Sequence, residues 1–279
     1  MTTFTCRAAR RHRRASRGGP LLRRVDAGSN LGHAAAGDVT TNLYYERYWT
    51  TDGFNPTGTG PFPELEAVLQ ARTRPGQAWL DVGCGDGRTS GPWLRQHRCN
   101  YIGVDISTTA VAQARELGLD ARVVPDAAEL PFEDGAFAGV LAVEVLEHLF
   151  EPQRAVAEFR RVLMPGGILF VSLPNVAYWR RRLELLFIGR FDPLGDDLSI
   201  PQPWRDPHVR FFTPRTLEDM LLRAGFEADV RGYAGALLAD FPKIGRALHG
   251  RSSAAYKWAE QRFPNLLGRR IYAVAVRRG

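Results

Sequence analysis

The chain has 279 residues, of which 44% are hydrophobic and 24% are charged, and its formal net charge at pH 7 is +7. This length suits one α/β domain with added segments or two small domains, and no apolar run approaches the ~18 residues that cross a bilayer. The three cysteines show neither pairing nor metal-ligand spacing, which excludes a disulfide scaffold and favours a reducing, cytoplasmic setting.

The charge is distributed unevenly. Residues 1–38 hold eight arginines against two aspartates, residues 39–240 hold 20 basic against 27 acidic residues, and residues 241–279 hold nine basic residues against one glutamate. An acidic body disfavours nucleic acid as a partner, because binding to it depends on neutralising phosphates.

Residues 1–38 combine clustered arginines with no apolar period, and we expect a disordered basic tail. Two alternatives stay open, an amphipathic transit peptide and a true start near Val39. Order is predicted to begin at Asn42–Trp49, where four aromatic residues indicate a helix packed at the domain edge. The stripe of Leu65, Val68 and Leu69 predicts a helix over Pro61–Arg72.

An apolar strand, 78–83, then runs into a loop with three glycines, Gly83, Gly85 and Gly87. Glycine tolerates positive φ and lets a ligand approach bare backbone amides, and a helix predicted over 88–97 would point its N-terminus at the same place. Asp81 lies two residues before the first glycine.

Two further strands, 100–105 and 121–125, each lead to an acidic residue. Asp105 ends the first, where a carboxylate can accept hydrogen bonds from both hydroxyls of a ribose. Asp126 follows the second, where it can meet an adenine edge or act as a helix N-cap.

Strands and helices continue to alternate as far as Ser172. The strands are predicted near 78–83, 100–105, 121–125, 137–143 and 167–173, and the helices near 88–97, 107–118 and 151–163. This alternation predicts a Rossmann-like, doubly wound α/β fold with a mostly parallel seven-stranded sheet and helices on both faces.

Residues 39–279 form the predicted domain, with two insertions. Residues 174–213, rich in proline and aspartate, are predicted to form a lid over the strand ends. After a helix over Pro214–Ala224 and a sixth strand from Gly225, residues 234–269 form a basic helical insertion. Residues 270–277 close the sheet.

Several motifs occur in a fixed order: the glycine loop, Asp105, Asp126, Leu130-Pro131-Phe132, Glu144–His148 and Leu163–Ser172. Over residues 42–277 the chain resembles the class I S-adenosylmethionine-dependent methyltransferases. Segments 173–179, 189–192 and 208–213 look like the bacterial methyltransferases associated with glycans and secondary metabolites, and more distantly like MetW-type proteins. The glycine spacing differs from the GxGxxG of NAD-binding folds.

The resemblance implies S-adenosylmethionine as the cofactor. Asp81 would orient the glycine loop or reach the cofactor's amino group, and a tyrosine before the core, Tyr44 or Tyr48, would cover the ligand. The implied cofactor-binding residues are Asp81, Gly83, Cys84, Gly85, Gly87, Asp105, Ile106, Asp126, Ala127, Glu144 and Tyr44.

A base is needed only where the methyl acceptor must lose a proton, as a hydroxyl does. His148, His208 and Glu144 are the candidate catalytic residues, although His148 could instead pack at a strand–helix junction. We predict no metal. The alternative is a divalent-cation site formed by two carboxylates and two imidazoles, Glu144, Glu147, His148 and His208.

The sequence therefore predicts O-methylation of a small-molecule or glycan-like hydroxyl. N- or C-methylation of a small metabolite and a non-catalytic partner protein of this fold are the alternatives. The basic insertion could lie on an anionic membrane, but an ordinary cap helix with a solvated basic face is the favoured interpretation.

Overall fold

The computed structural model describes residues 35–50, 61–189, 208–232, 258–259 and 261–279. Most of the predicted tail, residues 190–207 of the predicted lid and most of the basic insertion lie outside these ranges. The first helix begins at Ala35, inside the last four residues of the segment predicted as tail. Among the described residues, no helix is both long and apolar enough to cross a membrane.

Seven strands form one sheet. They are β1 Ala78–Val82, β2 Asn100–Asp105, β3 Ala121–Val123, β4 Phe137–Val143, β5 Leu163–Pro174, β6 Phe226–Gly232 and β7 Arg270–Arg277. Their order is β3-β2-β1-β4-β5-β7-β6, and only β7 runs antiparallel to its neighbours. The predicted fold class is confirmed.

Eight α-helices are described. They are α1 Ala35–Thr50, α2 Pro63–Arg72, α3 Gly91–Gln96, α4 Thr108–Glu116, α5 Pro152–Val162, α6 Trp179–Leu183, α7 Pro214–Arg223 and α8 Pro264–Leu267. A 3₁₀ turn, Leu146–His148, follows β4, and a π-helical turn, Glu184–Ile188, continues α6. Helix α3 is shorter than predicted, because Pro92 starts a helix well but cannot stand inside one.

The sheet is covered on both faces. Helices α2, α3 and α4 contribute Leu65, Leu94 and Val111 to the apolar cluster on one face. Helices α5 and α7 contribute Phe159 and Leu217 to the larger cluster on the other. Near-continuous apolar strands result from this double burial, which is why period-two alternation is absent from β1, β2 and β4.

The order of the strands fixes the position of a ligand crevice. Chain order proceeds outward from β1 through β2 to β3, and then reverses to β4 on the other side of β1. Ligands of open α/β sheets bind outside the carboxyl ends of the strands at such a reversal. The residues after β1, β2 and β4 all lie at this edge.

Helix α1 is attached to the body through a carboxylate. Glu46 accepts hydrogen bonds from Thr108 N, Thr108 Oγ1, Ser107 Oγ and Thr109 N at the start of α4, at 2.5–3.2 Å. Burial opposes ionisation, but these donors outweigh it and lower the pKa of Glu46 from 4.5 to about 2. A negative charge at a helix N-terminus is also favoured by the helix dipole.

We predict that acidification weakens the attachment of α1. A carboxylate whose pKa is lowered in the folded state stabilises that state above pH 4.5 and loses its contribution as the pH falls toward 2. The contribution of such a capping carboxylate is about 0.5–1 kcal/mol. Glu46→Gln should weaken hydrogen-exchange protection of α1 already at pH 7, whereas Glu66→Gln on α2, whose carboxylate accepts from Gln70 of the same helix, should not.

Candidate active site

The glycine loop lies between β1 and α3 at the crevice. Cys84 N donates to Val104 O (3.0 Å) and Gly85 N donates to Asp105 Oδ2 (2.8 Å), so the loop is fastened to the end of β2. Gly85 has a φ of +55°, and a Cβ built on it would lie 2.5 Å from the Trp49 indole. Both the left-handed backbone and the ring above it require glycine here.

Asp81 lies beneath this loop and is buried. It accepts hydrogen bonds from Ser90 Oγ and from Tyr101 Oη (3.1 Å), and burial raises its pKa to about 6. These contacts join the end of β1 to Ser90 at the start of α3 and to Tyr101 on β2. The sequence did not indicate Ser90 or Tyr101, since neither hydroxyl lies in a recognisable motif.

Asp105 ends β2 beside the loop. Its Oδ1 accepts from Ser107 N (2.9 Å) and its Oδ2 from Gly85 N. Burial raises the pKa of Asp105, while the backbone donors, Ile106 N among them, oppose the rise. Each carboxylate oxygen has a second lone pair, so Asp105 can hold the loop and still accept from a ligand.

Asp126 occupies the predicted place after β3, and Val124 N donates to Asp105 O (2.9 Å), which joins the ends of β2 and β3. The Asp126 side chain is exposed and accepts from Ala128 N (2.8 Å). The contact closes a turn, and no helix begins within the described residues 127–136, so the helix N-cap alternative for Asp126 is wrong. Ala127 is half-buried against the apolar core.

The aromatic residues of α1 cover the crevice. Tyr45 meets the His148 ring edge-on, with centroids 5.9 Å apart, and Trp49 lies over Gly85. Burial, the neighbouring Tyr44 and the charges of Glu147 and Asp105 all raise the pKa of Tyr45. Tyr44, the predicted ligand-covering tyrosine, is 38% exposed, and its ring packs against Tyr45 and Tyr48.

Glu144 follows β4 with a φ of +55°, a left-handed conformation that is rare for a residue with a side chain. Its Oε1 accepts from Ser172 Oγ (2.9 Å) on β5, and its Oε2 lies 3.5 Å from Arg270 Nη2 on β7. The carboxylate is thus directed toward β5 and β7. The strained backbone at the end of a central strand is typical of functional sites.

Three members of the four-residue set considered above, Glu147, His148 and His208, lie together after β4. Glu147 Oε1 lies 4.0 Å from His148 Nε2 and 3.9 Å from His208 Nε2, and the two imidazole centroids are 4.7 Å apart. Glu147 is 2% exposed. Glu144, which belonged to the four-residue set considered above, is not in the metal-ligand cluster found among the described residues.

Backbone hydrogen bonds bring His208 to this cluster. The carbonyl of Glu147 accepts from both Val209 N (2.9 Å) and Arg210 N (3.0 Å). Burial and the charge of Arg270 lower the pKa of His208 to about 4, so its imidazole is neutral at pH 7. A neutral imidazole retains a lone pair for a proton or a cation.

Comparison with known proteins identifies the family. The model of a methyltransferase domain family matches residues 80–171. A Mycolicibacterium smegmatis protein named a probable S-adenosylmethionine-dependent methyltransferase is 33% identical over 217 residues, which are 75% of this chain and 70% of that protein. The chain belongs to the S-adenosylmethionine-dependent methyltransferases. Its cofactor is S-adenosylmethionine, as the resemblance implied.

Other similar proteins match this methyltransferase in part. An O-methyltransferase of Pyrenophora dematioidea is 31% identical over 146 residues, and the match covers 48% of this chain and 54% of that protein. The chain thus spans about half the length of such curated relatives. The solved structure of the [4+2]-cyclase SpnF has 25% identity and a TM-score of 0.53, and the match covers 87% of this chain and 95% of that one.

The groups present in the crevice fit the cofactor. Ribose hydroxyls need acceptors, and the half-buried Asp105 carboxylate can supply them beside the glycine loop. A sulfonium is stabilised by aromatic faces, and α1 brings Tyr45 and Trp49 over the same edge of the sheet. The acceptor and aromatic groups that suit S-adenosylmethionine are therefore together at one place.

We predict that Gly85→Ala weakens S-adenosylmethionine binding at least about tenfold and releases α1, because the added Cβ displaces Trp49. Gly76→Ala is the matched control, since Gly76 also has positive φ (+83°) but has nothing within 4 Å of a built Cβ. Calorimetry and hydrogen exchange over α1 measure the two effects. Equal behaviour of the two variants would contradict the role of Trp49.

Proposed function

We propose that this methyltransferase transfers a methyl group in line to a hydroxyl of a small-molecule or glycan-like acceptor, such as a secondary metabolite. The observation that carries the proposal is the convergence of His148 and His208 on the buried Glu147 at the end of β4. Hydroxyl acceptors lose a proton on methylation, and imidazoles are suited to take it near neutral pH.

The donor and acceptor halves of the site are adjacent. A Cβ built on Gly83 would lie 2.6 Å from Val145 Cγ2, so the glycine loop packs directly against the turn that carries Glu147 and His148. Methyl transfer depends strongly on alignment of donor and acceptor. This contact supports a reaction centre between Gly83 and His148.

We assign the donor half as follows. The cofactor, when bound, supplies a methyl group on a sulfonium that is already activated for displacement. The backbone of Gly83, Cys84, Gly85 and Gly87 would hold its methionyl part, with Asp81 orienting the loop. Asp105 and Ile106 would bind the ribose, and Asp126 and Ala127 the adenine. Tyr45, rather than Tyr44, would cover the ligand, and Glu144 would line its methionyl end.

We propose that His148 accepts the proton that the acceptor hydroxyl loses. Its side chain is 19% exposed, against 6% for His208, and its ring contacts Tyr45, which faces the cofactor side. His208 would act as a positioning residue behind it. Glu147, between the two rings, would stabilise the imidazolium that forms when His148 takes the proton.

The lid, residues 174–213, would lie over the acceptor. Its two ends are joined by Val176 N to Phe212 O (3.1 Å) and a bridge between Asn175 and Phe212. The acidic charge of residues 39–240 opposes a polyanionic acceptor. The O-methyltransferase name of the Pyrenophora relative agrees with a hydroxyl acceptor.

The test uses the full chain. Calorimetry measures S-adenosylmethionine binding, and transfer of tritiated methyl groups to a metabolite extract of the producing organism finds the acceptor. Nuclear magnetic resonance then locates the new methyl group. A methyl group on oxygen supports the proposal, one on nitrogen or carbon overturns it, and failure to bind the cofactor would favour a non-catalytic partner protein.

A further inference from the structure

We infer that Glu147, His148 and His208 form a binding site for one divalent first-row transition cation. The ligand atoms of these three side chains all lie within 4.8 Å of one another. They come from two chain segments joined by the hydrogen bonds of Val209 N and Arg210 N to Glu147 O. The role of the cation in activating an acceptor hydroxyl rests on the proposed function, whereas the binding site itself does not.

The distances are close to those of a loaded site. A cation bound at about 2.0–2.2 Å holds neighbouring ligand atoms roughly 3.0–3.4 Å apart. Glu147 Oε1 lies 4.0 Å from His148 Nε2 and 3.9 Å from His208 Nε2, and all the ligand atoms lie within 4.8 Å of one another. Shifts of at most about 2 Å therefore close the site around a cation.

The donor set determines the kind of cation. Two imidazoles and one carboxylate suit zinc, manganese, iron or cobalt better than magnesium or calcium, which prefer oxygen ligands. Three protein ligands leave positions open for an acceptor hydroxyl. Glu144 is not a ligand, because Ser172 Oγ (2.9 Å) and Arg270 Nη2 (3.5 Å) hold its carboxylate on the side of β5 and β7.

Occupancy would change the part that His148 plays. A hydroxyl bound to a cation loses its proton more readily, as bound water does. The cation would then acidify the acceptor hydroxyl, whose proton would pass to solvent water, with His148 as a ligand rather than the base. The site lies beside the glycine loop, through the contact of Gly83 with Val145, so a cation here would be next to the methyl group.

Cobalt(II) titration of the chelator-treated full-length protein tests the inference without an acceptor. We expect one equivalent to bind, with visible absorption bands of a nitrogen- and oxygen-ligated ion. Glu147→Gln and His208→Gln should each weaken binding by more than about 100-fold, beyond the effect of outer-shell changes. His97→Gln, at the end of α3 and stacked on Trp93, is the matched control.

Two results would overturn the inference, namely less than stoichiometric binding by the wild type or unchanged affinity in both variants. Retained S-adenosylmethionine binding shows that each variant is folded, and a variant that fails this check is replaced by His148→Gln. If no cation binds but a hydroxyl is methylated, the proposed function stands alone. If a cation binds but the methyl group is found on nitrogen or carbon, the proposed function fails and the site remains.

Discussion

Asp105→Asn should weaken S-adenosylmethionine binding by about 100-fold or more. A hydrogen bond to a charged group contributes about 1.5–3 kcal/mol, and the carboxylate can accept one from each ribose hydroxyl. Asparagine keeps only one acceptor oxygen. Its amide would also face either Gly85 N or Ser107 N, both of which now donate to the carboxylate.

Calorimetry measures the change in affinity for S-adenosylmethionine, and the melting temperature shows whether the variant is still folded. Asp120→Asn is the control, because Asp120 precedes β3 and its half-exposed carboxylate pairs only with Arg122 among the contacts described. Surface pairs of this kind contribute little to stability. An affinity of Asp105→Asn within about threefold of the wild type would contradict the ribose assignment.

The sheet could be predicted because burial on both faces leaves a strong pattern. Strands β1, β2, β4 and β7 fall within a residue of their predicted bounds, as each is a short apolar run between polar turns. Strand β5 begins at Leu163, earlier than predicted. Leu163 pairs with Phe137 of β4, and the register then shifts before regular pairing resumes at Ile168, an irregularity that the pattern of apolar residues does not indicate.

The aromatic residues of α1 show what periodicity cannot decide. Tyr44 and Tyr48 are four residues apart, and so are Tyr45 and Trp49, so each pair occupies one side of the helix. The local sequence does not indicate which of these two sides of the helix faces the sheet. The answer comes from Glu46, whose contacts with the start of α4 set the rotation of α1 about its axis.

Glu144 shows a second feature that could not be predicted from the sequence. The sequence grouped it with Glu147 because both precede His148 in one short motif. The left-handed backbone at Glu144 turns its side chain toward Ser172 and Arg270, and a positive φ at a residue other than glycine has no signal in composition. The sequence therefore indicated a carboxylate at this end of β4, but it could not indicate the direction in which the Glu144 side chain points.

His148→Ala should lower the rate of methyl transfer by about 100- to 10,000-fold, the usual effect of removing a general base, while S-adenosylmethionine affinity stays within about threefold. The rate should fall without a loss of cofactor affinity because we place His148 on the acceptor side of the glycine loop. The rate of tritium transfer to the acceptor and calorimetry with the cofactor measure the two quantities. His97→Ala, at an exposed position shortly before the amino end of β2 and so at the edge of the sheet opposite the crevice, should change neither.

The same variant distinguishes the two roles considered for His148, a general base and a metal ligand. If His148 is the base, added cation does not restore transfer by His148→Ala, because the missing group is a proton acceptor. If it is a ligand, excess cobalt or manganese restores part of the rate, since Glu147 and His208 remain to hold the ion. Unchanged transfer by His148→Ala at every cation concentration would remove His148 from the reaction under either mechanism.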